Sequence, residues 1–338
     1  QFNVGLDFGF WKNRLNFSAN YYYKKTKDLL QNVSIPLSTG YSTMWTNFGH
    51  VTNKGFEFTA NVVAIDKKDW GLNFDGNISF NQNRIGGLNA DQYATQLWYG
   101  ANEVFLQRNG LPIGTIYGYV EDGFYDNIAE VRADPIYSKV SNEEAQRMIG
   151  EIKYVDRNGD NQITTEDRAV IGDTNPDFIY GLNANFRWKK LSLGLFFQGS
   201  QGNDIFNGNL TMIGMNSIGN VTREAYESRW TPENAANAKW PRITTAMTRD
   251  MKLSDRYVED GSYFRLKTIN LNYNFGSVCK GITDLSVFGT ITNVFTLTNY
   301  SWFDPDVNAF GSDASRRGVD IFSYPNSRTY TIGFKLTL

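Results

Sequence analysis

The sequence is poor in the residues that catalytic and metal chemistry most often use. Among 338 residues there is one cysteine, one histidine and eight prolines. Cys279 stands alone, so no internal disulfide can form, and cysteine usage leaves the redox compartment undecided. His50 has no serine or cysteine at a spacing that would pair with it as a nucleophile, which removes the usual hydrolytic triads. No run of about 18 or more consecutive apolar residues occurs, so a transmembrane helix is excluded. Charge is sparse and balanced, with 33 Lys and Arg against 35 Asp and Glu, and offers no basic face for nucleic acid. No charged segment followed by an apolar one opens the chain, so no signal peptide is visible; a mature secreted protein and an internal fragment would both look like this.

What is abundant is glycine (31), phenylalanine (24) and tyrosine (19), a composition that leans all-β. The strongest pattern has period two. In FNVGLDFGF, Phe2, Val4, Leu6, Phe8 and Phe10 fall on one face, and Asn3, Gly5, Asp7 and Gly9 on the other. The alternation returns at Leu15 to Tyr23, Phe56 to Val62, Leu72 to Phe80, Phe178 to Trp188, Leu191 to Phe197, Ile269 to Phe275, Leu285 to Ile291 and Tyr330 to Leu338. Many of these runs reach the roughly nine to eleven residues that a tilted strand needs to cross a bilayer, beyond the five or six of an average soluble strand.

Connections alternate between short and long. The short ones are Trp11 to Asn13, Asp66 to Asp69, Asn109 to Pro112, Lys189 to Lys190 and Gly276 to Thr283; the long ones are 28–52, 84–95, 126–176, 204–255 and 298–322. Tight turns on one rim and long extracellular loops on the other are the rhythm of an outer-membrane barrel. Counted this way, the chain holds about eleven antiparallel strands, an odd number that cannot close a single-chain barrel, and an N-terminal half is expected to be missing. Tyr21 to Tyr23, Trp70, Trp188, Tyr273 and Tyr330 fit interfacial girdles, while Asn183, Asn185 and Arg187 face the opposite way, toward a polar lumen. The fold class is therefore all-β, a transmembrane antiparallel β-barrel.

Seven segments carry a family resemblance in order: TNKGFEF from Thr52, PIGTIYGYVEDGFY from Pro112, IKYVDRNGDNQITTEDRAVIGDTNPDFIYGL from Ile152, QGSQGNDIFN from Gln198, RWTPENAANAKWPR from Arg229, YVEDGSYFRLKTINLNY from Tyr257 and TNVFTLTNYSWFDPDV from Thr292. Together they resemble the C-terminal barrel of SusC-like (RagA-type) TonB-dependent outer-membrane transporters. The resemblance implies a barrel of roughly 22 strands with a plug, of which this chain supplies about the last eleven. It also implies a bacterial outer-membrane location, contact with outer-membrane lipid, a SusD-like surface lipoprotein as lid and energy coupling through the TonB complex. The implied function is import of an oligomeric nutrient, glycan or peptide, without enzymatic activity. A passive porin or structural barrel, and a soluble Ca²⁺-binding carbohydrate-recognition β-protein, are the competing classes.

One motif points to a cation. DRNGDNQITTED, Asp156 to Asp167, has the spacing of a Ca²⁺ loop: Asp156, Asn158, Asp160, Gln162, Thr164 and Asp167 take positions 1, 3, 5, 7, 9 and 12. Asn161 replaces the usual glycine, a position where asparagine tolerates the left-handed conformation, and Asp167 replaces the closing glutamate. A structural Ca²⁺ pinning an extracellular loop is expected, the alternative being a solvated Asx-rich turn. A short helix is expected at Asn142 to Ile149 with Asn142 as its N-cap. The carboxylate pairs Glu121 with Asp122 and Glu259 with Asp260 are the arrangement nearest to glycosidase chemistry. Trp98, Tyr99, Trp302 and Phe303 have three readings: stacking on cargo, girdle, or contact with a lid.

Overall fold

A computed structural model of the chain describes residues 1–34, 37–41, 43–47, 49–94, 103–213, 220–244 and 252–338. Its dominant element is one antiparallel sheet of nine strands in sequence order. These are β1 (Phe2–Phe10), β2 (Leu15–Lys27), β3 (His50–Asp66), β4 (Trp70–Gly86), β5 (Phe178–Trp188), β6 (Leu191–Gln201), β7 (Tyr263–Gly276), β8 (Asp284–Thr298) and β9 (Thr329–Thr337). Among the described residues β1 and β9 each have one neighbour only, so the sheet carries two open edges.

Register aligns the apolar stripes. Phe8 stands opposite Phe17, Phe17 opposite Ala60, Ala60 opposite Gly76, Gly76 opposite Leu182 and Leu182 opposite Phe197. A one-residue slip at any pair would turn a whole stripe to the other face. Two irregularities, between Leu266 and Thr268 on β7 and near Asn293 on β8 with its positive φ, fall opposite each other, so the stripe stays outward on both sides of them. Outward side chains in the middle of the sheet stay open: Phe56 is 50% exposed, Leu271 46% and Leu182 38%. Aromatic rows bound the stripe, with Trp70, Trp188 and Tyr273 near the turns and Tyr21, Phe56, Phe80 and Phe178 near the loops. The eleven residues from Phe178 to Trp188 run roughly 33 Å along the strand, or about 25 Å across a bilayer at a tilt near 40°.

Short connections close the turn end. Between β1 and β2, Trp11, Lys12 and Asn13 all adopt positive φ, and Arg14 N donates to Trp11 O. Lys189, also at positive φ, makes the two-residue turn between β5 and β6.

Among the described residues nine strands cross, where about eleven were expected. The turn Asn109 to Pro112 misled the count: its flanks, Phe105–Gln107 and Thr115–Gly118, are too short to span a bilayer and instead join Ala169–Asp173 and Gln92–Ala94 in a small sheet outside the barrel. One extracellular insertion therefore runs from Gly87 to Asp177 in place of two loops. The short helix spans Asn142–Met148, and its N-cap is Ser141, not Asn142: the Ser141 hydroxyl accepts from Glu144 N. A second short helix, Ile128–Ala133 capped by Asn127, packs near it, Val131 and Ala145 sharing one buried cluster.

Candidate functional site: inner wall and loop cap

The inward positions of the strands make a wall rich in amides and hydroxyls, with charged groups such as Asp75 and Arg187 among them. Asn61 Nδ2 donates to Asp75 Oδ1 at 2.8 Å, Tyr22 Oη to Asn81 Oδ1 at 2.7 Å and Asn270 Nδ2 to Thr290 Oγ1 at 3.2 Å. Asn183, Asn185 and Arg187 lie where expected, lining a concave trough of about 600 Å³ with Asn73, Ser192 and Asn270. An amide both donates and accepts, so the asparagines of this wall can solvate hydroxyls or peptide groups. Arg187 points to the turn rim, where its guanidinium donates to the Lys67 and Lys68 carbonyls at 3.1 Å.

Above the wall the long loops fold into one body. Val104, Phe105, Ile116, Phe206, Tyr257 and Val319, drawn from three different loops, form the largest buried apolar cluster among the described residues. Asp204–Asn207 pairs antiparallel with Val258–Asp260 and parallel with Val319–Asp320, joining the loop after β6 to the loop after β8. The 87–177 insertion is tied in by Asp173 N donating to Asp204 Oδ2 at 2.8 Å. Burial pushes the Asp204 carboxyl above its usual range against the pull of that bond. Tyr300, buried and bonded to Asp320 Oδ2 at 2.7 Å, has its phenol pushed well up by both effects.

Two buried ion pairs fasten the cap. Arg256 clasps Glu121, each about one-tenth exposed, and the Ser254 hydroxyl donates to the same carboxylate. Arg265, 1% exposed on the inner face of β7, donates to Thr296 Oγ1 at 2.9 Å and to Asp304 Oδ1 at 2.5 Å, strapping the loop after β8 to the wall. Neither pair was anticipated from the sequence. The one available signal for the second is the cationic FRLK and the doubled acid in DPD, elements separated by most of a hairpin.

Compared with protein families, residues 1–195 match the model described as TonB dependent receptor-like, beta-barrel. The chain belongs to the TonB-dependent receptor family. It is an outer-membrane β-barrel chain, similar to SusC and to the RagA-type transporters. Relatives include TonB-dependent receptor P3 of Formosa agariphila, 34% identical over 99% of this chain and 34% of its own length. TonB-dependent receptor SusC of Bacteroides thetaiotaomicron is 27% identical over 99% of this chain and 31% of its own length. The solved RagAB peptide transporter superposes with a TM-score of 0.75 over 99% of this chain and 34% of that one at 22% identity, a likeness of fold. The chain thus spans about a third of the length of the curated relatives it matches.

Within this TonB-dependent receptor fold the sequence-predicted site residues separate. Asp156, Asn158 and Asp160 share one exposed turn: Asp156 accepts from Gly159 N at 2.7 Å and Asn161 N at 2.8 Å, Asn158 Oδ1 from Asp160 N at 2.9 Å and Asp160 Oδ1 from Gln162 N at 2.8 Å. Asn161 has φ +62°, the left-handed conformation its place in the motif demands. Asp167 turns inward instead, fully buried, accepting from Arg157 N at 2.9 Å and Thr164 N at 2.7 Å and closing a capping box with Thr164. Burial pushes its carboxyl up, but the backbone donors of Thr164, Arg157 and Asn158 outweigh it and hold the group below its usual range. Among the described residues no three carboxylate, imidazole or thiol groups close around one point.

Glu121 pairs with Arg256 and Asp122 with Lys153 at 2.8 Å, so these neighbouring carboxylates have separate partners. Glu259 takes the Ser301 amide and hydroxyl, and Asp260 the Ser262 amide, again as loop fasteners. His50 lies on the outward rim against Gly86 and Gly87. Trp302 and Phe303 meet edge to face at 5.1 Å, with Phe303 exposed; Trp98 and Tyr99 lie outside the described residues.

Replacing Arg265 by Met in the intact protein leaves Asp304 buried without its partner and is expected to destabilise the strap by about 3–5 kcal/mol. Pairing it with Asp304→Asn is expected to restore much of the loss. Limited proteolysis of the 299–328 loop checks both, and equal cleavage of wild type and Arg265→Met would contradict the assignment.

Proposed function

We propose that this chain supplies the C-terminal part of the barrel of a SusC-like TonB-dependent importer of oligomeric nutrient, glycan or peptide, beneath a SusD-like surface lipoprotein lid. The observation that carries the proposal is the fusion of three long loops, through a shared apolar core and buried ion pairs, into one platform above an amide-rich wall. A freely permeable channel has no need of such a platform; a lid requires a firm rim to close against. The wall's asparagines and threonines suit hydroxyl-rich or peptide-rich cargo, because each can exchange hydrogen bonds as the solute moves. The plug and the coupling to TonB belong to other parts of the whole protein.

Uptake of a fluorescent oligosaccharide or oligopeptide library by cells carrying the intact protein tests the proposal. Import that stops when TonB is deleted, together with a surface lipoprotein co-purifying with the barrel, is the expected result. Size-limited uptake indifferent to TonB would establish a passive pore instead.

We also propose a structural Ca²⁺ role for Asp156 to Asp167. Support comes from the alternating oxygens of Asp156, Asn158 and Asp160 on one turn and from the left-handed Asn161; Gln162 and Thr164 would add ligands, and Asp167 would hold the loop from below through its backbone bonds. Terbium luminescence titrated with Ca²⁺ is expected to show displaceable binding that weakens at least about tenfold, on the order of one lost carboxylate ligand, in Asp156→Asn. Binding that is absent, or unchanged in that variant, would leave an Asx-rich turn.

A further inference from the structure

The outward face changes its chemistry sharply above the upper aromatic row. Tyr21, Phe56 and Phe80 stand abreast on β2, β3 and β4. Successive outward rows above them are Tyr23, Lys54 and Gln82, then Lys25, Thr52 and Arg84, then Lys27, His50 and Gly86. Lys25, Lys27, Lys54 and Arg84 are exposed, and these rows contain no carboxylate. Among the described residues no ion pair engages any of the four. Strand spacing near 4.8 Å and a two-residue rise near 6.7 Å place them in a patch of roughly 10 by 13 Å.

The backbone leaves room beside this patch. Pairing of β5 with β4 stops at Ile179 opposite Ser79, whereas β4 continues to Gly86. The notch is a groove of about 780 Å³, walled by Tyr21, Lys54, Phe80 and Arg84 on the sheet and by Pro176 and Asp177 of the loop. Its other carboxylate, Asp173, is turned to Asn175, accepting from its backbone and side-chain nitrogens.

We propose that this patch and groove bind the phosphorylated sugar headgroup of an outer-leaflet glycolipid, with phosphates on Lys25, Lys54 and Arg84 and acyl chains lying along Phe56 and Phe80. The height is right, since these cations begin one row above the girdle that marks the hydrocarbon boundary. Continuity decides the ligand class: a single outward face passes from bare aromatics to unpaired cations, and a molecule that matches both must be apolar below and anionic above. Tyr23, Thr52 and Gln82 add neutral donors between the cations, suited to sugar and phosphate oxygens. The cations of the opposite rim are placed differently, on the turns themselves, where Lys190 donates to the Phe275 carbonyl. This inference rests on the outer-membrane location and is independent of cargo and of energy coupling.

Native mass spectrometry of the intact protein in non-ionic detergent, titrated with bisphosphorylated lipid A, tests it. Wild type is expected to bind, and Lys25→Gln with Lys54→Gln and Arg84→Gln to weaken binding on the order of 100-fold. Lys67→Gln with Lys68→Gln, on the turn rim, is expected to leave binding unchanged. Each single substitution of the patch, costing about fivefold, carries the test if the triple variant fails to assemble. Unchanged binding in the patch variants, equally tight binding of fully dephosphorylated lipid A, or displacement of the lipid by equimolar inorganic phosphate would overturn the proposal.

Discussion

Every backbone donor and acceptor that enters hydrocarbon must be paired inside the protein, and the nine-stranded sheet is the consequence. Long antiparallel ladders satisfy the amides, and the pleat then forces alternate side chains to opposite faces. With that geometry set, the sequence has only to place apolar residues at every second position, as Phe2 to Phe10 and Tyr330 to Leu338 do. The stripe needs no protein partner, because lipid is its partner; hence the exposure of the mid-sheet Phe56 and Leu271. The paired irregularities in β7 and β8 show how strictly the constraint holds: where one strand takes an extra residue, its neighbour does likewise and the stripe is kept.

The loop cap obeys the opposite rule. Outside the bilayer water competes for every polar group, so order there comes from a buried apolar cluster and from ion pairs withdrawn from solvent. Val104, Ile116, Phe206 and Val319 meet from distant parts of the chain, and Arg256 with Glu121 and Arg265 with Asp304 pin the assembly at its flank and to the wall. The chain thus combines two designs, an inside-out sheet and a conventional small core in the loops.

Period two was legible because it is local: Phe178 to Trp188 can be recognised as a membrane strand from its own eleven residues. So was the left-handed Asn161, since one position of one motif requires it. The strand count erred by two where a short turn, Asn109 to Pro112, imitates a barrel hairpin; only the pairing partner Ala169–Asp173 shows that its flanks belong to the cap. The helix cap moved by one residue, from Asn142 to Ser141, because both can cap and adjacent candidates are separated only by backbone conformation. Arg265 with Asp304 and Arg256 with Glu121 were invisible for a different reason: such pairs depend on which loops meet, and no local pattern encodes that. Asp167 is a local case: its inward direction is set by the backbone donors of Arg157, Asn158 and Thr164 within its own motif.

The account stands or falls on the two faces of the sheet. Nitroxide scanning of Tyr330 to Leu336 in the intact protein, with Cys279 replaced by serine and the protein reconstituted in lipid, measures them directly. Collision with oxygen is expected to peak at Tyr330, Ile332, Phe334 and Leu336, and collision with a water-soluble nickel chelate at Thr331, Gly333 and Lys335. Equal accessibility along the strand, or even-numbered positions shielded from both reagents, would contradict a wall with lipid on one side and water on the other.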